Sequence, residues 1–519
     1  MDKRVAIIGA GSSGLLACKY TKERGFSPVV FEAEECVGGI WNHTIKSTKL
    51  QTAKQTYQFS DFPWPTSVKE MFPSHTQVRE YIESYAHHFD IHRYIRFNSQ
   101  VISIDYDGVS QEEMELWDLW SGTSEAFSSK GKWLVEVQDT KTCSREVYIF
   151  DFVILCIGRY CGLPNIPEFP VNQGPEVFNG KVLHSMDYSA LDEESAEKLI
   201  KGKRVTVVGS LKSAVDITVE CADANGVEYP CMMIRRTDHW LLPTAHFWGV
   251  PLGYLYFNRF SELLVHKPGQ SFLHTLLANL LSPLRWVISK FVESYLIWKF
   301  PLKKHGVIPE NSFSQDLSSL QIAGLPESFY DKVEEGSIIL KKSQKFSFCR
   351  KGLIIDGETR ALETDVVILA TGYNGDQKLS NIFKSHIFQK SKMGSPNYSV
   401  SLYRQIIHPR IPQLAIIGLA GLTSLGAAEI KCQWLVHFLD GTFKLPSIRE
   451  MEKDVALWKN HMKKYSGRYF WRGCNGIGIW YNDQICKDIG CESRRKKGFL
   501  AELFEPYSAN DYAGLGRKK

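Results

Sequence analysis

Val5-Ala6-Ile7-Ile8-Gly9-Ala10-Gly11-Ser12-Ser13-Gly14 is the stretch whose reading decides the fold. A short apolar run suits a buried parallel strand, and the glycines after it suit a tight turn into a helix. Leu15, Leu16, Ala17 and Tyr20 continue with helical spacing, Gly25 ends that helix, and Pro28-Val29-Val30-Phe31-Glu32 reads as the next strand. Strand, glycine turn, helix and strand are complete within about 30 residues, the span of one dinucleotide-binding unit. Gly9 permits the tight turn, Gly11 lets a pyrophosphate approach the backbone, and Gly14 lets the helix pack on the strand. Ala10, Ser12 and Ser13 complete the turn and start the helix, whose N-terminal N–H groups and positive dipole end attract phosphate. Glu32 can accept hydrogen bonds from ribose hydroxyls and repels a 2′-phosphate, so this unit reads as a site for FAD or NAD. Gly38-Gly39-Ile40-Trp41 follows closely and favours FAD, because a glycine pair lets a second loop approach the cofactor.

A second unit begins near residue 204. Val205-Thr206-Val207-Val208 is its strand, and Gly209-Ser210-Leu211-Lys212-Ser213-Ala214 is its turn and helix start. Leu211 and Ala214 stand where the second and third glycines would be. Met232-Met233-Ile234 is the following strand, closed by Arg235 and Arg236 in place of an acid. Guanidinium groups there suit a 2′-phosphate through bidentate, charge-assisted hydrogen bonds, which points to NADPH. Between the units, Trp133–Val137 alternates like an antiparallel strand, and Phe152–Ile157 is continuously apolar. Asp365-Val366-Val367-Ile368-Leu369-Ala370-Thr371-Gly372 has the same form as Asp151–Gly158, an acid-led apolar strand ending in glycine. That similarity predicts a return to the first sheet.

The expected architecture is therefore α/β, with two dinucleotide-binding (Rossmann-like) domains and the NADPH domain inserted into a discontinuous FAD domain. The expected bounds are 1–165 and 331–445 for the FAD domain, 166–330 for the NADPH domain with a helical insertion at about 247–309, and 446–519 for a helical extension. A chain of 519 residues is too long for one core, which agrees with several domains. The net charge of +5 carries no basic stripe, which excludes a nucleic-acid role. Arg494-Arg495-Lys496-Lys497 reads as a solvated turn. Cys156 with Cys161, and Cys486 with Cys491, have the spacing of a redox pair but neither follows the first unit, so both read as coincidence. No His/Cys spacing suggests a metal site. No secretory segment is read before the first strand, so reduced thiols and a cytoplasmic setting are expected. The apolar region Phe272–Phe300 contains an uncharged run of 13 residues, Phe272–Leu284, short of the roughly 20 needed to span a bilayer. A helical pair lying on a membrane surface, such as the endoplasmic reticulum, stays open.

A third signal lies between the units: Phe178-x-Gly180-x-x-x-His184-x-x-x-Tyr188. On spacing alone it is a buried aromatic cluster with a hydrogen-bonded histidine. In this position, however, it resembles the identifying motif of the flavin-containing monooxygenases. Phe59-Ser60-Asp61-Phe62-Pro63, Ala370-Thr371-Gly372-Tyr373 and His408-Pro409-Arg410-Ile411-Pro412 agree in order and spacing, so the resemblance covers essentially the whole chain. Lys49-Leu50-Gln51-Thr52-Ala53, Ser60–Pro65, Leu183–Tyr188 and Lys212-Ser213-Ala214 are similar to the plant branch that includes an enzyme N-hydroxylating pipecolic acid.

The resemblance implies FAD and NADPH as cofactors, and dioxygen plus a small nucleophilic substrate as reactants. It further implies that oxygen passes from a flavin hydroperoxide to nitrogen or sulfur. It places Thr371 and Gly372 with the cofactor-binding residues, and Gln51, Thr52 and Ala53 beside the flavin. Many family members carry Asn where Ala53 stands. Two other outcomes stay open: oxidative decarboxylation or uncoupled NADPH oxidation on the same cofactors, and nucleotide binding without turnover.

Overall fold

The computed structural model describes residues 3–127, 130–390, 402–419, 424–466 and 475–516. Strand β1 (Arg4–Ile8), helix α1 (Ser12–Glu23) and strand β2 (Ser27–Phe31) form the first unit, with β1 and β2 parallel and Val5 opposite Pro28. Helix α2 (His75–His88) leads to the short strand β3 (Ile95–Arg96), which extends the sheet beside β2. Ser99–Asp107, Lys132–Asp139 and Arg145–Phe150 form the expected antiparallel sheet, in which Trp133, Val135 and Val137 turn inward. Strand β4 (Phe152–Leu155) then flanks β1 on its other side, wholly buried as a central parallel strand should be.

The second unit contains β5 (Lys181–His184), β6 (Val205–Val208), α3 (Lys212–Asn225) and β7 (Cys231–Arg235). The helical insertion follows, with α4 (Phe272–Leu280) and α5 (Ser282–Lys299), and then β8 (Ile338–Lys342) and β9 (Val366–Leu369). These strands form one parallel sheet in the order β8-β7-β6-β9-β5. Strand β10 (Leu414–Ile416) is the one that returns to the first sheet, beside β4, giving the order β10-β4-β1-β2-β3.

The expected return at residue 331 is thereby corrected. Both β8 and β9 belong to the second sheet, where Val367 lies opposite Thr206 and Val182. The similarity of the two acid-led strands has another cause. Asp151 accepts the N–H of Arg4 at 2.8 Å, and Asp365 accepts the N–H of Arg204 at 2.9 Å, so each acid brackets the entry of its own unit's first strand. Entry to and exit from the second unit run side by side: Asn165 N–H donates to Gly372 O at 2.9 Å, and Thr371 Oγ1 donates to Asn165 O at 2.5 Å.

After β10 come α6 (Leu425–Leu439), α7 (Ile448–Tyr465), α8 (Gly478–Ile489) and α9 (Phe499–Phe504). Helix α6 is buried along its whole length and packs against α1. The C-terminal extension is knitted to the helical insertion: Arg259 holds Asp483 at 2.6 and 2.8 Å and also pairs with Glu502. The basic run is part of this joint and not merely a solvated turn: the Lys496 N–H donates at 3.0 Å to Glu502, the partner of Arg259, while Arg495 donates to Asp511 O at 2.8 Å and Lys496 Nζ to the Asp511 carboxylate at 3.0 Å. Cys156, Cys161, Cys486 and Cys491 are free thiols. Among the described residues no helix is long and apolar enough to cross a membrane.

Candidate functional site

Both glycine turns open into one continuous cleft of about 2990 Å³, several times the usual size of a single small-molecule pocket. At the first turn the three glycines are required for distinct reasons. Gly9 has φ +102°, and a Cβ there would meet Cys156 O at 2.7 Å. A Cβ on Gly14 would sit 1.8 Å from Gly9 O, so only glycine lets α1 start this close to β1. A Cβ on Gly11 would meet nothing nearer than Gly39 Cα at 3.7 Å, so this face of the turn is open. Gly39 itself has φ +59° and brings its loop against Gly11, as the glycine pair predicts.

The N-cap residues of α1 and α3 are Gly11 and Leu211, and neither supplies a side-chain acceptor. Helices α2 and α6, by contrast, are capped by Ser74 and Ser424. A helix leaves its first N–H groups without intrahelical partners, so each of the two uncapped N-termini at this cleft offers free N–H donors that suit a phosphate. Glu32 closes the first cradle: its carboxylate takes the Ala10 N–H at 2.6 Å and the Glu34 N–H at 3.0 Å, leaving lone pairs for ribose hydroxyls. The residues present fit two dinucleotides.

The second turn is more altered. Gly209 is needed because a Cβ would meet Ala370 O at 2.5 Å, and Ala214 packs fully buried beneath it. Ser210, Leu211, Lys212 and Ser213 line the cleft. Lys212, however, reaches Asp216 at 2.5 and 2.7 Å, and Asp216 also accepts from Thr48 at 2.6 Å. The pairing of Arg235 with Arg236 at a phosphate is corrected. Arg235 is buried, is not among the residues lining the cleft and pairs with Asp238, whereas Arg236 is exposed on the cleft wall. Arg235 is the last residue of β7 and Arg236 the first beyond it, so the two meet different surroundings.

The linker motif turns out to be structural. Gly180 lets β5 pass tightly over Asp365 O, which a Cβ would approach to 2.3 Å, and Phe178 packs on Phe348. His184 is buried and caps the short helix Ser185–Ser189, its Nδ1 accepting the Met186 N–H at 3.1 Å. Burial lowers its pKa, and its ring lies edge-on to Tyr373 outside the cleft lining. Tyr188 donates to Glu220, which in turn accepts the Ser47 N–H.

Gln51, Thr52 and Ala53 line the cleft between the two units, and Gln51 Oε1 accepts the Gly324 N–H at 3.2 Å. Trp41, Thr371 and Gly372 line it as well. Several lining residues gave no sequence signal. Tyr57 accepts the Trp41 indole N–H at 2.9 Å. Ser508, Ala509 and Tyr512 bring the C-terminal extension to the cleft rim, with Ala509 against Gly426. Glu262 of the insertion takes the Ile479 and Trp480 N–H groups at 2.6 and 2.8 Å, capping α8, and burial pushes its carboxyl up to about 7.

Residues 2–496 match a family model described as flavin-binding monooxygenase-like. The probable flavin-containing monooxygenase 1 of Arabidopsis thaliana is 42% identical, over 100% of this chain and 97% of its own length. The flavin-containing monooxygenase 3 of Canis lupus familiaris is 26% identical, over 97% and 85% respectively. Two solved structures share the fold. S-allyl-L-cysteine S-oxygenase from Allium sativum has a TM-score of 0.58 at 18% identity, covering 95% of this chain and 89% of that one. The OTEMO complex with FAD and NADP has a TM-score of 0.66 at 16% identity, covering 93% and 97%. Glycine cradles, cleft and full-length matches agree, and the chain belongs to the flavin-binding monooxygenase-like family.

Proposed function

We propose that this FAD- and NADPH-dependent monooxygenase oxygenates a nucleophilic nitrogen or sulfur of a small molecule, with the ring nitrogen of pipecolic acid or a related amine as the substrate class. Gly9–Gly14, Glu32 and the Gly39–Trp41 loop hold FAD; Gly209–Ala214 hold NADPH, with Arg236 at the 2′-phosphate. When bound, the two cofactors supply hydride transfer and the activation of dioxygen. The protein positions them and keeps water out. Thr48–Asp216 and Ser47–Glu220 tie the loop after β2 to α3, which fixes the two cradles relative to one another. The C-terminal extension walls the rim. The observation that carries this reading is the single cleft, which contains both cradles and the Gln51–Ala53 segment.

The test is product analysis. Purified enzyme should be yellow, should consume NADPH faster with pipecolate than without, and should give an N-hydroxylated product. NADPH consumption that no amine or thioether accelerates, with no oxygenated product, would overturn the reading.

The same enzyme is proposed to meet a lipid surface through the helical insertion. Phe272, Leu273, Leu280 and Trp286 are 78, 74, 68 and 61% exposed on α4 and α5. Large apolar side chains left exposed along one helical pair suit an interaction surface. Flotation with liposomes should carry the wild-type protein upward and leave a Phe272→Ser, Leu273→Ser variant behind.

A further inference from the structure

At the end of α2, away from the cleft, three ligand-type side chains converge. Glu83 and His87 are one helical turn apart and share a face. The chain leaves the helix at Phe89, turns at Asp90 with φ +50°, and is pinned back by Ile91 N–H to Ala86 O at 2.9 Å. That turn delivers His92 to the same face. Glu83 Oε1 lies 3.1 Å from His87 Nε2 and 3.1 Å from His92 Nε2. The two imidazole rings are 4.3 Å apart. His92 Nε2 is shielded from water, and the Glu83 carboxylate is the group that faces it, as an ion pair and not as an aligned hydrogen bond.

We propose that Glu83, His87 and His92 form a binding site for a divalent transition-metal ion, Zn²⁺. Ligands about 2.0–2.2 Å from a tetrahedral zinc are separated by roughly 3.4 Å, so the two 3.1 Å edges need only small adjustment. The third edge is at most 4.8 Å, since all three ligand atoms lie within that distance of one another. Two imidazoles with one carboxylate favour a borderline transition metal over Ca²⁺ or Mg²⁺, which take all-oxygen sites. Zinc imposes no d-electron geometry and accepts three protein ligands with water in the fourth place. The ligand order Glu-x-x-x-His-x-x-x-x-His carries no signal in the sequence, because the turn at Asp90 supplies the third ligand.

The position gives the site a structural consequence. Helix α2 packs against the Gly39–Trp41 loop, and the segment after His92 becomes β3, whose Arg96 carbonyl accepts the N–H of Glu32 at 2.9 Å. An ion at this corner therefore staples the helix to the strand that supports the first cradle. Binding to the folded state alone raises stability with metal concentration.

The test uses the FAD-loaded full chain, stripped of metal with a chelator. One equivalent of Co²⁺ should give the visible absorption of a tetrahedral site, and Zn²⁺ should displace it and raise the unfolding temperature. His87→Ala, at a largely exposed position, and Glu83→Gln should each weaken Zn²⁺ in a competition titration by more than about tenfold, the loss that even an outer-shell partner produces. His88→Ala should bind as the wild type. No saturable binding by the wild type, or unchanged affinity in His87→Ala with intact flavin content, would overturn the proposal.

Discussion

The Tyr188 hydroxyl donates to one oxygen of Glu220 at 2.9 Å, and the other oxygen takes the backbone N–H of Ser47 at 2.8 Å. A residue of the linker motif thus holds, through one carboxylate, the loop that follows the first cradle. Tyr188→Phe should lower stability by about 1.5–3 kcal/mol, the worth of one hydrogen bond to a charged acceptor. It should also slow flavin reduction by NADPH in stopped-flow measurements. Unchanged reduction with an unchanged melting temperature would show that the link does not position the cradles.

Arg235 and Arg236 should separate cleanly. Arg236→Ala should raise KM for NADPH by about 10- to 100-fold, equivalent to 1.5–3 kcal/mol, and leave KM for NADH unchanged. Arg235→Ala should instead lower the melting temperature, because Asp238 loses its main partner in a buried setting. Steady-state kinetics with both nucleotides and a thermal scan decide it.

Two glycines of the first turn should fail differently. Gly14→Ala places a methyl group 1.8 Å from Gly9 O and should prevent folding. Gly11→Ala meets only Gly39 Cα at 3.7 Å, so the chain should fold but emerge colourless. Soluble yield and the flavin-to-protein absorbance ratio are the readouts.

Glu262 predicts a pH dependence. Its carboxyl is raised to about 7 by burial, above the unfolded value near 4.3. Between these values the folded state binds more protons than the unfolded one, so stability falls as pH rises from about 4.5 to 7. Glu262→Gln, which keeps the shape and removes the charge, should flatten the slope of denaturation midpoint against pH in that window.

The first cradle was legible in the sequence because its requirements are local and steric: a turn, a close approach and a helix start each demand glycine at a fixed offset. The NADPH side was legible in kind but not in detail. Arg235 and Arg236 are adjacent, and composition cannot tell which one the strand turns inward. The return point was misplaced because buried parallel strands look alike whichever sheet they join; Asp151 and Asp365 mark strand entries in both. Glu262 and Ala509 were invisible for a third reason. Glu262 meets the last forty-odd residues at Ile479, and Ala509 meets α6 at Gly426, and pairings so distant leave no periodicity.

The paired passage at Asn165 and Gly372 sets how the halves can move. A domain hung on one peptide can twist, drift or swap with a neighbour. Here two antiparallel segments, bridged at Pro164 and Tyr373, cross between the sheets together. Such a double tether resists torsion between the halves. It also means that a single proteolytic nick in either segment leaves the two halves attached through the other.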